Sequence, residues 1–159
     1  MKNVGDYGEK MVRDILRRKG FNAKIKGKRT HGYDLAVKKN DKKTEVQVKT
    51  IQKGKLFQLT VTNFLKIDII DGKQKVKGKN DIGLDIPWVF VKKIKNGNEF
   101  FILSKSNVQD IVLRSYRAML IKNKGFRPQN HYSFHCTIDA DKLTKWKNNW
   151  KLIKNSLHP

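Results

Sequence analysis

The alternation of apolar and polar positions is clearest between residues 33 and 50. Tyr33, Leu35 and Val37 fall on one face of a strand and Asp34 on the other. Val46 and Val48 likewise fall opposite Glu45, Gln47 and Lys49. The intervening Lys38–Lys43 stretch has an Asn40-Asp41 centre suited to a turn, so the two strands are expected to pair antiparallel. If both apolar faces cover one core, Asp34, Gln47, Lys49 and Glu45 share the opposite surface. That surface reads as a site or as the solvated side of a charged hairpin, and the hairpin alone does not choose.

The flanking pattern completes an α/β chain. Residues 6–20 predict a helix with Tyr7, Met11, Val12, Ile15 and Leu16 inward and Gly20 as its stop. Glu9 lies at the edge of that stripe, either as the third-position partner of an Asp6 cap or as a carboxylate with a function. Residues 21–26 predict a strand. Phe57, Leu59 and Val61 alternate as a strand does, 64–70 reads as strand or short helix, and Asp71-Gly72 marks a turn. Residues 87–94 and 99–103 predict a hairpin around Asn96-Gly97. A second helix follows at 104–124, with Ser106 as cap, Gln109 as its reciprocal partner and Val108, Ile111, Val112, Met119 and Leu120 buried. Residues 133–138 predict a strand and 141–153 a last helix carrying Leu143, Trp146, Trp150 and Ile153 on its inner side. No repeat or low-complexity linker divides the 159 residues, so a single domain is expected.

Charge changes the picture. Lys and Arg number 36 against 14 Asp and Glu, a formal net charge of +22 that calls for a polyanionic partner. Nucleic acid is the commonest intracellular one, and no basic amphipathic helix with an aromatic face points to a membrane. Between Ile15 and Tyr33 there is no acid beside Arg17, Arg18, Lys26, Lys28 and Arg29, a run suited to phosphates. Lys73, Lys75 and Lys77 alternate along one strand, as a basic ribbon or as a guarded sheet edge. The single Cys136 excludes an internal disulfide and a cysteine-zinc cluster, and His31, His131, His135 and His158 lack partners at ligand spacing. With no signal peptide or membrane-length apolar run, a cytoplasmic protein is expected.

Glu9 on a leading helix, Asp34 on one strand and Gln47-Val48-Lys49 on the next resemble the PD-(D/E)XK nuclease superfamily, over roughly the first third of the chain. Tyr33 stands where that pattern has proline, and Gln47 where Asp or Glu is commoner. The resemblance implies a restriction-endonuclease-like core, a central mixed sheet flanked by helices. It implies a Mg²⁺-dependent DNA endonuclease of restriction, intron-homing or junction-resolving type, with Mn²⁺ as a substitute ion. Asp34, Glu9, Gln47 and the carbonyl of Val48 would then ligate the metal, Lys49 would serve the attacking water, and Glu45 would be a secondary candidate. Cutting both strands would need two copies, hence a homodimer or higher assembly. The alternatives are a nuclease-like domain that binds nucleic acid without cutting it and, last, a basic ribonucleoprotein component.

Overall fold

The computed structural model describes residues 3–27 and 32–159. The chain order begins α1 (Val4–Arg18), β1 (Asn22–Ile25), β2 (Leu35–Lys39), β3 (Lys42–Ile51), β4 (Leu56–Thr60), β5 (Leu65–Ile70) and β6 (Lys73–Lys79). It continues through β7 (Trp88–Ile94), β8 (Gly97–Leu103), α2 (Lys105–Lys122), β9 (His135–Asp139) and α3 (Lys151–Asn155). These form an α/β fold with a mixed central sheet and flanking helices, organised as two compact units.

The first unit takes the chain up to Phe57, together with Leu84–Ser104 and Asp139–Pro159. Its five-stranded sheet runs β1-β2-β3-β7-β8. All neighbours are antiparallel except β3 and β7, which run parallel. Leu35, Val37, Val46, Val48, Val89, Val91 and Ile102 make the inner face, closed by Val12 and Leu16 of α1 and by Ile153. Fully burying each such side chain contributes roughly 1.5–3 kcal/mol, so this layer fixes the register of β2 against β3.

α1 begins two residues earlier than the pattern suggests. Asn3, not Asp6, is the cap, its side chain accepting from the Gly5 N–H at 3.1 Å. Glu9 therefore does not sit at the third helical position. At the other end Phe21 N–H reaches the Leu16 carbonyl and Gly20, at φ 86°, turns the chain out of the helix. Gly8 is where the helix meets the sheet: a Cβ there would lie 1.8 Å from Thr50 Oγ1. That hydroxyl is buried with no hydrogen-bond partner among the described residues.

The expected helix over 141–153 is not continuous. A 3₁₀ segment, Ala140–Trp146, gives way to Asn148 at φ 55°, whose N–H binds the Phe100 carbonyl, and only then does the short α3 form. Asn149 adds a second tie to β8, its Nδ2 donating to the Ile102 carbonyl at 3.3 Å. Leu143 and Ile153 are still buried. In the β7–β8 hairpin Ile94 faces Gly97, so the loop is Lys95–Asn96, one residue earlier than expected.

The second unit, Gln58–Gly83 with Lys105–Ile138, holds the β5–β6 hairpin, α2 and most of the β4–β9 pair. Residues 65–70 are strand, and Asp71 and Gly72 turn it with positive φ at both positions. α2 buries Val108, Val112, Tyr116 and Leu120. Ser106 lies inside this helix and does not cap it. Gln109 is also no cap: its buried amide donates to the carbonyls of Phe64 and Asn80, where an unpaired amide would be costly.

Gly8→Ala is expected to destabilise the fold by about 1–3 kcal/mol, because the overlap with Thr50 outweighs a helix-propensity gain of about 1 kcal/mol. Gly5→Ala, whose Cβ would meet only Asn3 Oδ1 at 3.6 Å, is the control and should cost nothing in urea unfolding.

Candidate active site

The site forms where β2 gives out. The β2–β3 ladder ends with Leu35 opposite Val46, and Asp34 N–H still donates to the Val46 carbonyl at 2.9 Å. On its other side the Asp34 carbonyl accepts from Lys26 N–H at 2.8 Å, so the backbone of Asp34 is held from both neighbours. Beyond this point the Val48 N–H has no ladder partner from β2. Asp34 replaces it with its side chain: Oδ2 accepts from Val48 N–H at 2.7 Å and from Gln47 Nε2 at 2.7 Å. Gln47 is fixed in turn by its own N–H, which donates to the Pro87 carbonyl at 3.0 Å.

Burial raises the carboxyl of Asp34 above its ordinary value of 3.8, opposed by the Val48 N–H and then by the charge of Lys49. Desolvation is thus only partly offset, and the ionised carboxylate remains short of positive charge. Its Oδ1 and the Gln47 amide oxygen accept no hydrogen bond within the described residues. An amide that turns its NH₂ to a carboxylate necessarily keeps its oxygen for something else.

The structure therefore brings Asp34, Gln47 and Val48 together, with Lys49 near enough to act on Asp34. Glu45 stands across from Ala36, one strand step, roughly 7 Å, along the same face from Gln47. Glu9 follows Gly8 on α1, and that helix packs on the face of β3 that bears Val46 and Val48. Among the described residues no three His, Cys, Asp or Glu side chains form a group able to hold a metal. One carboxylate and one amide oxygen fit a hard ion that retains water and takes further oxygens from a phosphate, as Mg²⁺ does. They do not make an all-protein cage.

Two aromatic neighbours escape the sequence reading. The parallel pairing sets Trp88 beside Gln47 and Phe90 beside Lys49, and their rings stack at 6.3 Å. Their runs look like core strand, and nothing local reveals which strand they adjoin.

Of the basic residues, Arg17 donates Nε to the Ala23 carbonyl at 3.0 Å, a structural contact, while Arg18 and Lys26 are exposed. Lys28 and Arg29 lie outside the described residues, as does His31. On β6, Lys73 covers the Phe126 ring at 5.4 Å, Lys75 is exposed, and Lys77 lies 3.8 Å from Asp68. No described helix is long and apolar enough to cross a membrane.

No family model and no curated protein matches the chain. Among solved structures it is similar to a bacterial homing endonuclease, I-Ssp6803I, with a TM-score of 0.49 and 14% identity over 96% of this chain and 91% of that one. A likeness of this degree passes no residue role, ligand or activity to the present chain.

The raised carboxyl sets a pH test. A raised folded value means that the stability Asp34 contributes is fully present below 3.8 and is lost as pH rises through the folded value. Asp34→Asn, which titrates nothing and keeps an acceptor for Val48, should gain relative to the wild type from acid to neutral pH in urea unfolding. A gap that moves toward the wild type over that window contradicts the assignment.

Proposed function

We propose that the chain is a metal-dependent DNA endonuclease of the PD-(D/E)XK, restriction-endonuclease-like kind, hydrolysing phosphodiester bonds. The observation that carries this reading is the Asp34 carboxylate, held by Val48 N–H and Gln47 beside Lys49 on the polar face of two buried strands. The net charge of +22 supports a polyanionic substrate.

In this reading Asp34 Oδ1 and Gln47 Oε1 hold Mg²⁺, or Mn²⁺ in its place. The ion supplies Lewis-acid stabilisation of the phosphate and a more acidic water. Gln47 also keeps Asp34 in one rotamer through its amide N–H. Lys49 orients the attacking water by hydrogen bonding and offsets charge developing on the phosphate oxygens. Glu9 and, secondarily, Glu45 are the further carboxylate candidates for this site. Exposed Arg18, Lys26, Lys75 and Lys77 supply phosphate contacts without sequence preference. Cutting a duplex through both strands requires a second copy of the site, hence a homodimer or larger homo-oligomer.

A second reading, a nuclease-like module that binds DNA without cutting it, is favoured by one observation: the absence of three metal-capable side chains in one group among the described residues.

Supercoiled plasmid and branched synthetic DNA, incubated with and without Mg²⁺ or Mn²⁺, separate the two. The endonuclease reading expects metal-dependent cutting that falls about 10²-fold or more in folded Asp34→Ala and Lys49→Ala. It also expects Mg²⁺ to raise the Tm of the wild type and not of Asp34→Ala. Binding that survives in all three proteins, with no cutting of any substrate by the wild type and no metal-induced Tm rise, selects the binding module.

A further inference from the structure

The β5–β6 hairpin of the second unit has two unlike faces. On one, Ile67 and Ile69 stand opposite Val76 and Gln74, and Gln74 is buried. Gln74 also fastens this side to the rest of its unit. Its backbone N–H donates to the Gly125 carbonyl at 2.9 Å, its amide donates to the carbonyls of His131 and Ser133 at 2.8 and 2.9 Å, and its Oε1 accepts from the Tyr116 hydroxyl at 2.6 Å. The opposite face is therefore presented on a fixed support.

That face is exposed, with Lys66, Asp68 and Ile70 on β5 and Lys73, Lys75 and Lys77 on β6. Asp68 lies directly across from Lys75, and Ile70 across from Lys73. Lysines that guard a sheet edge need only line that edge; these cover a face spanning two strands, together with an isoleucine that is 66% exposed. Lys66 and Lys75 form no ion pair among the described residues, so their charge is open to a polyanion. The one ion pair of Asp68 among the described residues is with Lys77 at 3.8 Å, both side chains being about half exposed, and such a pair contributes little to stability. A carboxylate on a face that meets phosphates is repelled unless it finds a hydrogen-bond donor. Base edges in the major groove of DNA supply one in the cytosine N4 amino group, and the thymine methyl suits an apolar side chain. The shape agrees as well: a two-stranded ribbon, its strands about 4.8 Å apart, enters a B-form major groove roughly 12 Å wide, whereas the deep, narrow major groove of duplex RNA excludes it.

We propose that the exposed β5–β6 face docks in the major groove of duplex DNA, where Asp68 accepts from a cytosine N4 amino group, Ile70 meets a thymine methyl, and Lys66 and Lys75 reach the flanking phosphates. The inference rests on the reading of DNA as the substrate and goes beyond it, because it gives the chain a means of choosing sequence.

Binding is measured in EDTA, where no metal-dependent cutting takes place, so loss of sequence reading and loss of cleavage are separate results. Selection by the wild type from a random-sequence duplex library should enrich a site containing cytosine, and the recovered duplex, labelled with fluorescein, is the probe for anisotropy titrations. At one C·G pair of that site, replaced by T·A, the wild type should discriminate about tenfold and Asp68→Ala should not. Lys66→Gln combined with Lys75→Gln should weaken binding to every duplex and reduce the slope of log K against log salt by about two. The control pair, Lys142→Gln with Lys151→Gln, replaces exposed lysines of the first unit and should leave the slope unchanged. The proposal is overturned if Asp68→Ala changes the affinity for all duplexes alike, if the Lys66 and Lys75 pair matters no more than the control pair, or if duplex RNA of the recovered sequence binds as tightly as the DNA. A wild type that cuts DNA with metal yet enriches no sequence overturns it too, and leaves the cleavage reading intact.

Discussion

The first unit turns on one substitution of a side chain for a backbone. Where β2 stops, β3 continues, and the N–H of Val48 would be left without its ladder partner. A strand end of this sort normally takes water. Here the Asp34 carboxylate takes the N–H instead and accepts from the Gln47 amide with the same oxygen. One oxygen is thereby committed to the fold, so the carboxylate's position is as well determined as the sheet.

That position depends on packing on the far side of the sheet. Val46 and Val48 point into the core beneath α1, which turns Gln47 and Lys49 to the opposite face. Gly8 lets the helix come down onto Thr50 at a separation no other residue permits, with the Thr50 hydroxyl left unpaired among the described residues. Buried polar groups left in this way cost about 1–3 kcal/mol, a sum the hydrophobic layer readily exceeds. The polar face is strained in a different sense. Its carboxylate is desolvated more than its neighbours compensate, a condition that disfavours the ionised form.

The hairpin from Asp34 to Lys49 was legible because strand alternation and turn chemistry agree there, and a period of two leaves no freedom in which face Asp34 and Gln47 share. The Asp71-Gly72 turn was legible for the same reason. The 141–153 segment misled because Leu143, Trp146, Trp150 and Ile153 have helical spacing, although a 3₁₀ segment, the bend at Asn148 and the short α3 bring Leu143 and Ile153 to the interior without one continuous helix. Gln109 resembled a capping partner by its spacing from Ser106, yet its amide is consumed by two carbonyls of the β5–β6 region, contacts remote in sequence. Trp88 and Phe90 could not be placed beside the site, since the parallel pairing of β3 with β7 joins strands separated by the whole β4–β6 segment. Local pattern determined faces; it carried no information on which distant strand would lie alongside.

The most direct measurement is an NMR titration of the Asp34 side-chain carboxyl, assigned by comparison with Asp34→Asn, in the absence and presence of Mg²⁺. The carboxyl is expected to titrate above 3.8 without metal and to move to lower pH when Mg²⁺ is added, because the ion would supply the charge the protein withholds. A carboxyl that titrates at or below 3.8 and is indifferent to Mg²⁺ would contradict the account.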